Sequence, residues 1–248
     1  MKKIFFCSFI ILLLTGCGLS DDCIKSSGDV VSKEIEVPQD TNFEIIYVNA
    51  GIGMVLTQGD EYSVRIEGGD NFIDEIKAEI SNNTLRLTDG SGCNWVRDYG
   101  NTVVYVTAPN VIEIYSNTEQ TIRSNGVLTY PILRLYAMDF FGGVGTNDFY
   151  IEVDNYQLVV ESNNVSAFYV TGRTGNMLLN FYDGVGRFEG PDFLAESIEI
   201  FHRGSNDMII HPVDSLTGDI YSTGNVISKT HPEHIDVIEH YSGRLLFE

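Results

Sequence analysis

The string His231-Pro232-Glu233-His234 contains the residue types of a zinc-protease motif, in which two histidines bind the metal and a glutamate acts as the base. That chemistry requires a helix, because a helix places both histidines on one face. Pro232 stands inside the string, and apolar alternation predicts strands on either side of it. We therefore predict a surface turn here, with no metal site and no cofactor.

Acidic residues are the other candidates for chemistry, since glycoside hydrolysis needs two carboxyl groups a few ångströms apart. Asp183, Asp207 and Asp219 lie near predicted turns but at different offsets, so we do not expect them to converge. There is no Gly-x-Ser-x-Gly motif, and the glycine-rich residues 142–145 lack the lysine of a phosphate-binding loop. The sequence predicts no catalytic residue. A polysaccharide-active β-helix enzyme is the alternative to a binding protein, and a structural envelope protein without a separate ligand is the second alternative.

The N-terminus contains a candidate modification site. Two lysines precede an apolar run, residues 4–14, that is too short to span a bilayer, which is typical of a secretory signal. Leu14-Thr15-Gly16-Cys17 resembles the bacterial lipobox, and the resemblance implies cleavage after residue 16 and lipidation of Cys17. We predict a signal peptide over 1–16 and a polar, flexible, lipidated tether over 17–33.

Two further cysteines and the single tryptophan could form or border a contact. Cys23 and Cys93 would remain as thiols in an exported chain, and a disulfide between them would close a 70-residue loop worth roughly 4 kcal/mol. Because Cys23 lies in the predicted tether, the two thiols could also remain apart. Trp95 lies in a glycine-rich stretch beside Cys93. It is either a ligand contact or a lid over the end of the core.

Charge limits the partners of the chain. The formal net charge is −20, which excludes nucleic acid as a partner because its phosphates require a basic surface. The same charge argues against contact between the folded domain and anionic lipid, so the membrane is reached through the lipid anchor alone. Residue 18 is glycine, so an inner-membrane retention signal is absent. Ser20-Asp21-Asp22 resembles a surface-export signal or is a solvated acidic tether, and we expect an outer-membrane lipoprotein.

The C-terminal half repeats with a period near twenty residues. Aromatic residues precede Gly, Asp or Ser turns at Phe181, Phe201, Tyr221 and Tyr241, with apolar alternation before them and short apolar runs after them. This pattern is typical of stacked rungs, each of which buries its apolar face against the next. We predict a right-handed parallel β-solenoid over 111–248, with these four aromatics in one ladder.

The chain has 13 Tyr and 14 Phe, and rows of them could lie in the core or on the surface. An exposed row would suit stacking on a sugar ring or a protein partner, whereas an inner row would be a core ladder. Residues 34–110 alternate with period two, which predicts antiparallel hairpins at 58–60 and at Asn82-Asn83. We expect 34–248 to form one continuous domain.

Several short segments are together similar to a known family. They are Phe43-Glu44-Ile45, Asn49-Ala50-Gly51-Ile52, Val64-Arg65-Ile66-Glu67-Gly68 and Val104-Tyr105-Val106-Thr107-Ala108-Pro109, followed by the repeats. Their order resembles the putative auto-transporter adhesin family with a head GIN domain. The resemblance implies an all-β adhesin or binding module, with an unknown protein or glycan ligand and no catalytic residues. The family's Ser-Gly turns are mostly replaced, for example by Asp183-Gly184, so the resemblance does not carry over a binding role for those turns.

Overall fold

The computed structural model describes residues 25–38, 40–92, 102–139 and 145–248. The regular elements of these ranges are strands, which confirms the all-β prediction. Nowhere in the described ranges is there a helix long and apolar enough to cross a membrane. The strands are β1 (Val30–Ile35), β2 (Ile45–Asn49), β3 (Gly53–Gln58), β4 (Ser63–Gly69), β5 (Ile76–Ser81), β6 (Thr84–Asp89), β7 (Val103–Ala108), β8 (Glu113–Asn117), β9 (Ile122–Ser124), β10 (Ile132–Ala137), β11 (Asp148–Ser162), β12 (Ala167–Phe181), β13 (Arg187–His202), β14 (Met208–Ile220), β15 (Val226–Ser228), β16 (His234–Glu239) and β17 (Leu245–Phe247).

Neighbouring strands from β8 to β17 pair in parallel, one sequence repeat apart, in two rows that share one core. The first half of β11 pairs with β9 and its second half pairs with β10, so each repeat contributes one segment to each row. A corner lies between the two halves. In β12 it contains Gly172 at φ +96°, where a Cβ atom would lie 2.0 Å from the carbonyl oxygen of Val153. Only glycine fits this close approach between strands.

The core is built from side chains that lie above one another in successive repeats. In the first row, fully buried residues follow in register: Phe149, Phe168, Phe188, Met208 and Val226. The rings of Phe149 and Phe168 are stacked, with centroids 4.7 Å apart. Buried residues of the second row belong to the same cluster, among them Leu135, Val160, Leu179 and Ile200. The alternation seen in the sequence therefore places one face of every strand in a common core.

The predicted ladder of Phe181, Phe201, Tyr221 and Tyr241 is wrong. Phe181 is fully buried, and its register partner in β13 is His202. Phe168 pairs with Phe188 but Gly172 pairs with Phe193, so β13 contains one extra residue between these points. A one-residue shift moves every following side chain to the opposite face of the sheet.

This shift creates a different ladder on the surface. Phe201 lies partly exposed between Tyr182 and Tyr221, at centroid distances of 5.6 and 5.1 Å. Tyr221 stacks on His240 at 4.1 Å, while Tyr241 is 66% exposed and lies outside the ladder. The turns that precede β13, β14, β15 and β17 nevertheless fall where the sequence predicts them.

One of the two predicted hairpins is present. β5 and β6 pair antiparallel, and Asn82 and Asn83 between them have φ of 50° and 62°. The hairpin predicted at Gln58-Gly59-Asp60 is wrong, since both edges of β3 are occupied by parallel partners, β7 and β9. β4 instead pairs antiparallel with β1 and β7.

The predicted tether over 17–33 ends earlier than expected, because residues 30–33 belong to β1. Lys33 forms an ion pair with Asp74 at 2.7 Å, and the amide of Asn71 donates to the carbonyl oxygen of Ser26 at 3.0 Å. β1 pairs antiparallel with β4 and so adds a strand to the sheet. Strand pairs between β2 and β8, and between β3 and β9, cross the expected internal boundary at residues 110/111.

Candidate binding groove

The residues predicted to be lipidated, to form a disulfide or to contact a ligand are not among the described residues. Cys17, Cys23, Cys93 and Trp95 all lie outside the described ranges, as do residues 142–144 of the glycine-rich stretch. Lipidation, the disulfide and the tryptophan contact therefore stay predictions.

The residues of the zinc-protease-like string lie where a turn meets a strand. His231 precedes β16 and its ring lies 4.5 Å from that of Phe247, between centroids. His234 is the first residue of β16. The helix that this metal chemistry would need is therefore not the conformation of these residues.

The three aspartates considered for catalysis are engaged in separate local interactions. Asp183 accepts a hydrogen bond from the backbone amide of Gly184 at 2.8 Å. Asp207 accepts one from the backbone amide of Asn225 at 2.8 Å. Asp219 lies 2.6 Å from the ring of His240. They stabilise three different places in the stack.

The aromatic rows divide between core and surface: the row of Phe149, Phe168 and Phe188 lies inside, and the ladder through Phe201 and further rows of tyrosine lie outside. Tyr115 stacks on Tyr47 at 4.4 Å and on Tyr136 at 4.5 Å, and the guanidinium of Arg86 lies 4.4 Å from the centroid of Tyr47. The faces of these rings are therefore largely covered by their neighbours.

Tyr156 is arranged differently, since it lies at the corner between the two halves of β11 and is 67% exposed. Among the described residues its ring stacks on no other ring. Two adjoining depressions meet at Tyr156, and we call them together the corner groove. Its residues are Asp154, Asn155, Tyr156, Arg173, Thr174, Gly175, Leu194, Glu196 and Val213 on one side, and Gln157, Asn176, Met177, Leu178, Ser197, Ile198, Glu199, Ser215 and Thr217 on the other.

One side of the corner groove combines an ion pair with apolar surface. The guanidinium of Arg173 donates to both carboxylate oxygens of Asp154, at 2.9 and 2.8 Å. These hydrogen bonds lower the pKa of Asp154, so its carboxyl group is ionised at neutral pH. Leu194 and Val213 are 42% and 48% exposed and supply apolar surface beside the pair.

The other side is polar and repeats along the stack. Gln157, Asn176, Ser197 and Ser215 are register partners in four successive strands. The hydroxyl of Ser197 donates to the side-chain oxygen of Asn176 at 2.8 Å, which leaves the amide nitrogen of Asn176 facing away from that bond. Glu199 and Thr217 form the adjacent row.

Sequence reasoning missed Tyr156, although the sequence contains a signal for it. Phe149, Ile151 and Val153 alternate on odd positions, and Leu158 and Val160 alternate on even ones. The change of the apolar residues from odd to even positions indicates a corner between Val153 and Leu158. An aromatic residue at such a corner can lie outside both the core and the surface ladders.

The groove offers recognition chemistry more readily than acid catalysis. A catalytic acid for glycoside hydrolysis needs a raised pKa. Within the groove, the hydrogen bonds from Arg173 lower the pKa of Asp154, which suits this carboxylate to an ion pair and not to the role of a catalytic acid. An exposed ring beside amides, hydroxyls and an ion pair is instead typical of a binding surface.

A known protein family and several solved structures are similar to this chain. The model of a family described as putative auto-transporter adhesin, head GIN domain, matches residues 42–232, more than half of the chain. No curated protein sequence matches the chain. Solved structures share the fold. A putative adhesin from Bacteroides fragilis is 20% identical, with a TM-score of 0.79 and coverage of 90% of this chain and 100% of its own. A putative adhesin from Parabacteroides merdae is 15% identical, with a TM-score of 0.64 and coverage of 88% and 97%. A putative lipid binding protein from Parabacteroides distasonis is 14% identical, with a TM-score of 0.62 and coverage of 90% and 100%.

Proposed function

This chain belongs to the putative auto-transporter adhesin, head GIN domain, family, and from that premise we propose that it is a non-catalytic binding module of the cell envelope. The observation that supports this best is the corner groove, where an exposed aromatic ring lies among available polar side chains. The ligand is an extracellular protein or glycan. The strongly acidic chain stays soluble and repels nucleic acid and anionic lipid.

The repeats are expected to wind as a right-handed parallel β-solenoid. Parallel pairing of segments one repeat apart supports this inference, since connections between parallel strands of one sheet are nearly always right-handed. A solenoid of this kind presents long rows of equivalent side chains, which suits recognition of extended ligands.

The proposed location is the outer membrane, with the folded domain displayed at the cell surface through lipid on Cys17. Cys17→Ser is expected to release the protein from the membrane fraction or to leave its signal peptide uncleaved, because the modified thiol carries the anchor. Fractionation followed by mass measurement of the N-terminus checks this. A processed, membrane-bound Cys17→Ser protein would contradict it, and Cys7→Ser, which alters only the signal peptide, serves as the control.

The binding function is tested on whole cells. Cells that produce the full chain should be retained on at least one member of a panel of immobilised polysaccharides and extracellular proteins. Cells lacking the gene should be retained less, and complementation should restore retention. Equal retention of all three strains across the panel would contradict the proposed function.

A further inference from the structure

We propose that the corner groove binds a neutral glycan chain, with the ring of Tyr156 stacking on one sugar and the polar row beside it binding sugar hydroxyls. This inference rests on the proposed function and specifies its ligand class. It starts from a difference among the surface aromatics. The rings of Tyr47, Tyr115 and Tyr136 cover one another, whereas the ring of Tyr156 is exposed and unstacked among the described residues.

An uncovered aromatic face is the group that a sugar ring recognises. The face of an aromatic ring is the negative part of its quadrupole, and the C–H groups on one face of a sugar carry partial positive charge. Gly175 keeps the space beside Tyr156 open. A Cβ atom at Gly175 would lie 3.0 Å from the carbonyl oxygen of Tyr156, which is tighter than most Cβ contacts, and 3.8 Å from Cδ2 of the ring, which is ordinary van der Waals contact. A side chain at this position would therefore cover part of the ring that Gly175 leaves open.

The polar row supplies donors and acceptors at regular intervals. The Ser197 hydroxyl holds the oxygen of Asn176, so the Asn176 amide nitrogen is left to donate to a ligand. Gln157 and Ser215 occupy equivalent positions in neighbouring repeats. Successive strands are about 4.8 Å apart, close to the advance of one sugar in an extended glycan. A chain running along the stack would therefore meet a similar polar group at each sugar.

Charge decides which glycans fit. Arg173 is the cation of the groove, and its guanidinium is already bound by both oxygens of Asp154. Glu196 and Glu199 add negative charge on either side of Tyr156, and the whole chain carries −20. A uronic acid or sulfated polymer would be repelled, whereas a neutral chain loses no charge solvation on binding.

The test uses the lipidated full chain in detergent and affinity electrophoresis through gels containing laminarin, dextran or yeast mannan, with polygalacturonate as the anionic polymer. We expect retardation by at least one neutral polymer and none by polygalacturonate. Tyr156→Ala should weaken that binding about tenfold, the equivalent of about 1.4 kcal/mol. Tyr241→Ala is the matched control, since Tyr241 is 66% exposed but lies outside the groove, and it should bind as the unaltered chain does.

A second variant, Asn176→Ala, should also weaken binding, so the result does not depend on one substitution. Retardation by polygalacturonate alone, by none of the polymers, or equally for Tyr156→Ala and Tyr241→Ala would overturn the inference. If cells with the full chain are still retained on other surfaces in that case, the binding function stands without its glycan ligand. If retention on every surface is also independent of the chain, both fail.

Discussion

Phe168→Ala is expected to lower the free energy of unfolding by about 3–5 kcal/mol, as for other fully buried phenylalanines. Phe168 is 0% exposed, stacks on Phe149 and is the register partner of Phe188 in the next repeat. Truncation would leave a cavity in the middle of the core ladder. Urea unfolding followed by circular dichroism measures the loss as a lower midpoint at an unchanged slope.

The matched control is the neighbouring residue on the opposite face of the same strand. Tyr169 is 36% exposed and stacks on Tyr150 at 4.8 Å, so Tyr169→Ala removes a surface contact and leaves no core cavity. Its expected cost is about 1 kcal/mol. Equal losses for the two variants would contradict the assignment of inner and outer faces in β12.

Acidification from pH 7 to pH 4 is expected to destabilise the fold by about 3 kcal/mol through His202 alone. Burial lowers the pKa of His202 from 6.5 to about 4. The nearby backbone carbonyl of Asn206 and the carboxylate of Asp207 favour the charged ring and act in the opposite direction. Neither of them meets the geometry of a hydrogen bond to His202, so both buried ring nitrogens lack a partner among the described residues and the effect of burial prevails. A difference of one pKa unit corresponds to about 1.4 kcal/mol.

Proton binding by the unfolded chain explains why the free energy of unfolding falls in acid. Between pH 6.5 and 4 the unfolded chain binds a proton at His202 that the folded chain does not, so stability falls as the pH falls. Below both pKa values the folded state bears the full free-energy cost of protonating the buried ring of His202. At neutral pH both states are largely unprotonated there and the penalty is absent.

Leucine at position 202 would fill a similar volume with an apolar side chain that has no titratable group. His202→Leu should lose about 3 kcal/mol less than the unaltered chain between pH 7 and pH 4, and be at least as stable at pH 7 because no unpaired ring nitrogen is buried. The same pH dependence in the unaltered chain and in His202→Leu would show that His202 contributes nothing.

Repetition explains how much of the fold could be predicted. Turns such as Asp183-Gly184 and Arg203-Gly204, and the Asn82-Asn83 hairpin, depend on local residue types, and the sequence contains those types. The pairing register between β12 and β13 could not be predicted, because β13 contains one extra residue near Pro191. That residue reverses the faces of Phe201 and His202, and nothing in a period near twenty distinguishes one more residue from one fewer.

The candidate groove was harder to predict than the fold. Its residues come from four repeats and lie about twenty positions apart, so neither a motif nor a short spacing connects Tyr156 with Asn176 or Ser197. Trp95 is a candidate contact in the sequence only because of its residue type and its glycine-rich surroundings. Tyr156 is distinguished by its corner position, which depends on where the chain bends.

Binding without catalysis can be tested in one experiment on a panel of envelope and dietary polysaccharides, both neutral and anionic. The full chain is incubated with each polymer, and the bound fraction and the number of new reducing ends are measured in the same sample. We expect binding of at least one polymer, with the length of every polymer unchanged. New reducing ends that increase in proportion to protein concentration would contradict it and would make the chain a polysaccharide-active enzyme.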